Sequence, residues 1–168
     1  MQPLRVVAPE GIRVRSAGRD DCEALLALYC EVHDAHLDAD PEEFEPLTPD
    51  DEARMLREFA RAGPPEILVA ETELGLVGCV RFEQRHARRA GRRVRPRVYV
   101  DLLVVAPRWQ SRGVGTMLLE RVHAIVRSRG IDTVELDVYE FNGSGLRLYE
   151  KMGYATTQRR MKLRLDRD

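Results

Sequence analysis

One stretch of the sequence, residues 98–119, constrains the fold more than any other. It begins with the run from Val98 to Val105, which is aliphatic and β-branched apart from Tyr99 and one acidic residue. Such a run is typical of a strand buried on both faces. Pro107 ends it, because proline cannot donate a hydrogen bond to a strand ladder. Glycines follow at 113 and 115, and apolar residues then recur at helical spacing. The stretch therefore predicts a strand, a tight glycine turn and a helix, in that order.

A helix that begins directly after glycines is suited to binding a phosphate or pyrophosphate. Its first N–H groups have no partner within the helix, its dipole is positive there, and glycines let the backbone approach a bulky anion. Two familiar phosphate motifs do not fit. No Gly-Lys-Ser/Thr follows the glycines, and Leu118 stands where a dinucleotide fingerprint has its third glycine. For the two glycines alone, a plain strand-to-helix turn is the alternative.

The residues around these glycines resemble a known family. Residues 105–115, VAPRWQSRGVG, resemble the acetyl-coenzyme A loop of the GNAT-type N-acetyltransferases, V-x-P followed by Arg/Gln-x-x-Gly-x-Gly/Ala. Residues 142–154 resemble a second block of that family, N-x-x-A-x-x-L-Y-x-x-x-G-F, with Gly145 in place of Ala and Tyr in place of the final Phe. Residues 12–17 are similar to its opening strand. The resemblance covers the chain from about residue 11 onward.

The periodicity of the chain predicts the element order β-α-α-β-β-β-α-β-α-β. We expect one α/β domain over residues 11–168, with a mixed central sheet and helices on both of its faces, after a loose N-terminal segment at 1–10. The resemblance further implies that the strands at 98–105 and 134–139 splay apart and admit the pantetheine arm of the coenzyme. The expected strands lie at 12–15, 67–70, 76–82, 98–105, 134–138 and within 154–165.

The composition indicates the cellular compartment of the protein and whether it binds a metal. Hydrophobic residues make up 43% and charged residues 33% of the chain, an ordinary balance for a soluble protein. No apolar run approaches the ~20 residues that span a bilayer, and no secretory signal is recognisable. Cys22, Cys30 and Cys79 are scattered without a C-x-x-C, which favours a reducing compartment and argues against a zinc site. We therefore expect a cytoplasmic protein without a bound metal.

The resemblance also implies which residues contact the coenzyme. The loop from Arg112 to Thr116 would hold the pyrophosphate, and Gln110 would brace that loop. Backbone groups of residues 103–105 would contact the pantetheine and the oxyanion, and Asn142, first a helix cap, would bond to the pantetheine. Arg108, Arg112 and Arg147 are further candidates for the phosphates, or else solvated surface residues. The expected coenzyme-binding residues are Leu103, Val104, Val105, Gln110, Arg112, Gly113, Val114, Gly115, Thr116 and Asn142.

Tyr149 is the predicted general acid, because it occupies the Tyr position of the second block. A phenol with a pKa of ~10 can protonate a departing thiolate of pKa about 8.5 without itself being ionised at neutral pH. The alternative is a core tyrosine, since Tyr149 shares a helical face with Leu146 and Met152.

The predicted general base is a carboxylate on one of two strands. Asp101 interrupts an apolar strand, where an unpaired carboxylate is costly, and it lies four residues before Val105, where several family members carry a catalytic Glu. Asp137 on the next strand is the second candidate and Glu83 a third. Burial would raise such a pKa toward neutrality. A salt bridge to an arginine, or a water relay in place of a single base, are the alternatives.

Together these residues imply an enzyme that moves an acetyl group from acetyl-CoA to a primary amine of a small molecule or peptide, by direct attack on the thioester. The segment from Glu31 to Glu52 carries ten carboxylates and no Lys or Arg. In relatives this region lies beside the acceptor, so its charge favours a cationic amine. The alternatives are a solvated surface, or charge balance with the arginines of residues 85–97, within the molecule or across a homodimer.

Two other functions compete with this interpretation. A non-catalytic coenzyme A-binding sensor on the same fold would retain the glycine loop, but the intact Tyr149 and the strand carboxylates argue against it. A nucleic-acid-binding module could use the seven arginines between Arg85 and Arg97, which no acidic residue interrupts. No aromatic residue interleaves those arginines for base stacking, so we expect an exposed hairpin loop there, with neither nucleic acid nor membrane as partner.

Overall fold

The computed structural model describes residues 11–61, 65–86, 95–163 and 165. These form two compact units, the first ending at Asp137 and the second beginning at Val138. The first contains a five-stranded sheet and three helices, and the second contains one helix. The elements are β1 (Arg13–Ser16), α1 (Cys22–Ala39), α2 (Pro49–Phe59), β2 (Glu66–Thr72), β3 (Gly75–His86), β4 (Pro96–Val105), α3 (Val114–Ser128), β5 (Val134–Leu136) and α4 (Gly143–Lys151).

The strands lie side by side in the order of the chain, β1-β2-β3-β4-β5. The first three pairings are antiparallel, and β2 and β3 form the predicted hairpin, with Gly75 at a φ of 119° in its turn. The pairing of β4 with β5 is parallel. A parallel pair needs a crossover connection, and α3 provides it. The mixed α/β sheet predicted from the sequence is thus confirmed.

Helices cover both faces of this sheet, also as predicted. Cys79 of β3 belongs to a buried cluster with Leu25 of α1 and Phe59 of α2. Its neighbour Gly78 faces the opposite side, because side chains alternate along a strand. A Cβ atom on Gly78 would lie 3.3 Å from the side chain of Val114 in α3. The first two helices therefore pack on one face and α3 on the other.

Helix starts follow the sequence signals closely. Thr48 caps α2, accepting a hydrogen bond from the Asp51 N–H at 3.2 Å while the Asp51 carboxylate accepts one from the Thr48 N–H at 3.1 Å. Before α1, a short 3-10 turn at Arg19–Asp21 is closed by the buried Asp21, whose carboxylate accepts from the Gly18 N–H at 2.6 Å. The Arg15 guanidinium, bonded to that carboxylate at 2.7 Å, holds the pKa of Asp21 below its usual range.

For Asp101 the structure shows the salt bridge to an arginine that is the alternative interpretation of this residue. The register of β3 against β4 pairs Arg81 with Leu102 but Phe82 with Val100, so Asp101 is an extra residue in a β-bulge. Its side chain keeps 23% of its surface exposed and forms an ion pair with Arg81. The carboxylate is therefore not an unpaired charge in a strand buried on both faces, because the bulge turns it to a polar edge where a cation meets it.

Two strand predictions are corrected near the end of the chain. The strand expected at 134–138 stops at Leu136, where its ladder with β4 ends. The strand expected within 154–165 is not formed by the residues described there, 154–163 and 165. Met161, Leu163 and Leu165 alternate in the sequence but are 92%, 83% and 80% exposed. Alternation gives a strand only where a neighbouring strand pairs the backbone and one face is buried. The segment predicted to be loose, 1–10, lies outside the described residues.

The close packing of α3 on the sheet yields a stability prediction. A Cβ atom at Gly78 would lie 2.8 Å from the Val104 carbonyl oxygen, a backbone atom that cannot move independently of β4. We expect Gly78→Ala to lower the free energy of unfolding by about 1–3 kcal/mol, as overpacked cores do, measured by urea denaturation. Gly18→Ala is the matched control, because its Cβ would meet only an ordinary contact at 3.7 Å. An equal loss in both variants would contradict the packing argument.

Candidate functional site

The glycine loop brings the chain from β4 into the start of α3. A single turn of 3-10 helix, Pro107–Trp109, follows the strand, and Ser111 and Gly113 then take positive φ angles of 59° and 86°. The left-handed backbone at Gly113, directly before α3, favours glycine. The helical ladder of α3 begins with the Met117 N–H, which donates to the Gly113 carbonyl at 3.0 Å. The amides of residues 114–116 precede that bond and lie at the positive end of the helix dipole.

The side chains around this helix start suit an anion. No acidic residue occupies the first turn of α3. Arg112 lies in the loop, with its guanidinium carbon 5.4 Å from the centre of the Trp109 ring. The Gln110 amide donates to the Val105 carbonyl at 3.2 Å, so the loop is tied to the end of β4. These residues therefore have the geometry that a diphosphate requires: free backbone donors, a nearby cation and a braced loop.

The end of β4 has a free edge beside this loop. Residues 102–105 pair with β3 on one side. On the other side the parallel pairing includes only Val98, Tyr99 and Val100, and within the described residues no strand continues it. The backbone of residues 103–105 therefore has one side available for hydrogen bonds to a ligand. The early end of the ladder agrees with the splay that the family resemblance implies.

An open pocket of about 230 Å³ lies next to the bulge, on the face that carries α1 and α2. Arg81 is its central side chain and is only 15% exposed. Its guanidinium bonds to Asp101 at 2.8 Å and to Glu58 at 3.2 Å, so one cation bridges two carboxylates. The pocket is lined by Glu58, Arg61, Pro65, Arg81, Glu83 and Asp101.

The other strand carboxylate, Asp137, lies in a separate group of contacts. The Tyr99 hydroxyl donates to Asp137 at 2.8 Å. Burial, together with this hydrogen bond, raises the pKa of Tyr99 to about 12. Arg85 lies over the Tyr99 ring, 3.7 Å from its centre, and pairs with Glu83 at 2.7 Å. Asp137 therefore faces a neutral phenol, whereas Asp101 faces a guanidinium.

The second unit contains the residues of the downstream sequence block. Asn142 caps α4 by accepting from the Gly145 N–H at 2.9 Å. A Cβ atom on Gly145 would lie 2.8 Å from the Asn142 side chain. The Asn142 side chain therefore packs directly against the α-carbon of Gly145. Gly153, at a φ of 89°, ends the helix as the sequence predicts.

Tyr149 is partly buried in the second unit, and its ring meets Tyr154 edge-on at a centroid distance of 5.7 Å. Burial raises the pKa of Tyr149 to about 12. Its hydroxyl makes no hydrogen bond to the residues that the structure describes. At neutral pH the side chain is therefore a protonated phenol whose O–H remains available.

Some predicted features do not meet in the pocket, and some pocket residues were not predicted. None of the ten carboxylates between Glu31 and Glu52 lines it.

Three residues of the pocket were not predicted from the sequence: Glu58, Arg61 and Arg81. The available signals were weak: Arg81 alternates with Glu83 along one face of β3, and the other two residues lie three apart at the end of α2. At the far ends of the arginine-rich segment, Arg85 and Arg97 pair with glutamates, while residues 87–94 lie outside the described part.

The described residues contain no candidate metal site and no membrane-spanning helix. Among them, no group of three or more His, Cys, Asp or Glu side chains is placed to hold a metal ion. No helix in the same ranges is both long and apolar enough to cross a bilayer.

Comparison with known proteins agrees with the geometry of the site. The model of the acetyltransferase (GNAT) family matches residues 29–154. The mycothiol acetyltransferase of Propionibacterium freudenreichii subsp. shermanii is 30% identical over 155 residues, which are 92% of this chain and 46% of that protein. The chain thus spans about half the length of that relative.

Solved structures share the fold. A tetramutant of the BH1408 protein from Bacillus halodurans superposes with a TM-score of 0.82 at 24% identity, over 91% of this chain and 99% of that one. The aminoglycoside N-acetyltransferase AAC(6')-Iy in complex with CoA gives 0.72 at 18% identity, over 95% and 98%. The family model matches most of the chain, and the fold is shared with these structures. The chain therefore belongs to the GNAT family of acetyltransferases.

Proposed function

We propose that the protein transfers the acetyl group of acetyl-CoA directly to a primary amine of a small molecule or peptide. The ammonium first loses one proton, and the neutral amine nitrogen then attacks the thioester carbon. The nitrogen gives up a second proton to a base as the carbon–sulfur bond breaks. The coenzyme thiolate then takes up a proton. Enzymes accelerate such a step by holding the two reactants together, supplying donors to the oxyanion and positioning an acid and a base.

The observation that carries this proposal is the glycine turn at the start of α3. It combines a left-handed Gly113, amides at residues 114–116 that precede the first helical bond, and a loop tied to β4 by Gln110. Because this stretch lies within the residues that match the GNAT family, the pyrophosphate of coenzyme A is the anion we assign to it. The free edge at residues 103–105 would then bind the pantetheine and the oxyanion.

The arrangement of the first unit supports separate routes for the two substrates. The phosphate loop begins α3, which packs on one face of the sheet, while the polar pocket lies on the opposite face. We propose that the amine enters from the pocket and meets the thioester at the free edge of β4. Asp101, in the bulge two residues before Leu103, is then the nearest candidate base on that strand.

Tyr149 is the proposed general acid, on the strength of its place in the second family block. The raised pKa keeps the phenol protonated throughout the neutral range, so it holds the proton that the thiolate requires. Asp101 is the proposed base and Asp137 the second candidate, with a water relay as the alternative to both. Asn142, already the cap of α4, is proposed to bond to the pantetheine.

The competing functions make different predictions about turnover and charge. A coenzyme A-binding sensor would bind the coenzyme and release no thiol with any amine. The nucleic-acid hypothesis is not favoured by the two described arginines at the ends of its segment, since both pair with glutamates. The long-range charge of the Glu31–Glu52 segment supports a second candidate acceptor, a cationic amine.

The first prediction concerns coenzyme binding. Gly113→Glu should abolish measurable binding of coenzyme A in calorimetry, because the new carboxylate strains a left-handed position and repels the pyrophosphate. Gly130→Glu is the matched control: it adds the same charge at another left-handed glycine, φ 68°, at the opposite end of α3. If both variants bind coenzyme A as tightly as the parent, the phosphate does not lie at the glycine loop.

The second prediction concerns the general acid. Tyr149→Phe should lower kcat by ~10²–10⁴-fold, the usual value of a positioned acid, with coenzyme A affinity retained. Release of free thiol under single-turnover conditions measures this step. Tyr154→Phe removes the phenol from the partner ring and installs the residue of the family pattern, so its kcat should stay close to that of the parent. Full turnover by Tyr149→Phe would make Tyr149 a packing residue.

The third prediction concerns the base. A carboxylate base must be ionised to accept the proton, so protonation at low pH produces an acidic limb in the profile of kcat/KM. Asp101→Asn should remove that limb and lower the plateau, while Asp137→Asn retains it. A limb that persists in the first variant and disappears in the second reverses the roles. A limb that persists in both assigns it to water or to ionisation of the acceptor.

A further inference from the structure

We infer that the acceptor is a compact zwitterion, a molecule that carries an anionic group, such as a carboxylate, beside its primary amine. This inference rests on the proposed acetyl transfer and specifies its substrate class. It comes from the charged residues that line the pocket at the β4 bulge. They include both signs, and charges of each sign are left uncompensated.

The pocket lining contains an uncompensated negative charge. Arg81 is held between Glu58 and Asp101, so this group contains one cation and two carboxylates. Glu83, also in the lining, is neutralised by its pair with Arg85. The surplus charge of the Arg81 group therefore favours an ammonium, and it lies beside Asp101, where the proposed base would receive the proton.

The same lining contains an uncompensated positive charge. Arg61 follows α2 and lines the same pocket. Its guanidinium makes no hydrogen bond or ion pair with any residue within 11–61, 65–86, 95–163 or 165. A guanidinium presents several donors in one plane and binds a carboxylate or phosphonate through two of them. Arg61 therefore provides a site for an anion in the pocket where the amine binds.

The pocket lining has one surplus charge of each sign. It therefore favours an acceptor with one charge of each sign over a polyamine, which has only positive charges. A second ammonium would have to lie near Arg61, where like charges repel. The acidic segment at 31–52 contributes no lining residue that would offset this repulsion. The volume of about 230 Å³ is below the ~300–1,000 Å³ of pockets that enclose drug-sized ligands. An acceptor of amino-acid size, rather than a folded or extended chain, fits these limits.

The test compares acceptors that differ in one group. The full-length protein is assayed for thiol release from acetyl-CoA with L-α-amino acids, their carboxamides, the matching amines that lack the carboxylate, the aminoalkylphosphonates and putrescine. We expect the zwitterions to have the highest kcat/KM. For the best of them, Arg61→Ala should raise KM about three- to tenfold, with kcat and the KM for the carboxamide unchanged. Arg57→Ala, an exposed arginine of α2 outside the lining, should change neither KM, and Arg61→Lys should restore part of the affinity.

The outcomes separate this inference from the proposed function. If putrescine or the carboxamides are the best acceptors, or if Arg61→Ala raises every KM by the same factor, the zwitterion is wrong and acetyl transfer stands. If coenzyme A binds but no amine in the panel releases thiol, the proposed transfer is wrong, and the acceptor class falls with it.

Discussion

The β-bulge at Asp101 is the constraint on which the two faces of the sheet depend. Val100 pairs with Phe82, whereas Leu102 pairs with Arg81, so the extra residue shifts the alternation by one position. Leu102 and Val104 therefore pack toward α1 and α2, while Val100 points to the face that carries α3. Without the bulge, these three side chains would share one face. The same extra residue, Asp101, places a carboxylate where the alternation changes face. The bulge that directs the apolar side chains to both faces therefore also creates a polar position near the end of β4.

The close approach of α3 to the sheet complements this bulge. Gly78 lets the first turn of α3 lie directly on the backbone of β3 and β4, where a Cβ atom would meet the Val104 carbonyl. The helix start is thereby fixed relative to the strand end that it follows, with Gln110 as the connecting side chain. A loop built on two rigid elements keeps its backbone donors in place without a ligand, so an anion bound there would incur a smaller entropic cost.

Much of this arrangement could be predicted from the sequence, because strong periodicity and glycine or proline punctuation specify local structure. The strand at 98–105 and the turn at Gly113 were of this kind. The bulge was not, since one acidic residue in an apolar run fits either a buried charge or a displaced register. Arg81 was missed because its partner, Glu58, is distant in sequence, and contacts between distant elements leave no periodic signal. The final strand was wrong because alternation reports which face is apolar and not whether a neighbour exists to pair with it.

The shortness of β5 has a consequence for the motions of the protein. Three residue pairs hold this strand to β4, whereas nine hold β3 to β4. Local opening requires less free energy where fewer backbone hydrogen bonds and buried contacts are broken. The amides of β5 should accordingly exchange with solvent water sooner than those at the centre of the sheet. We expect the β2–β3–β4 meander with α3 to be the more rigid part of the first unit. The short strand β5 can then adjust its position when a ligand binds at the end of β4.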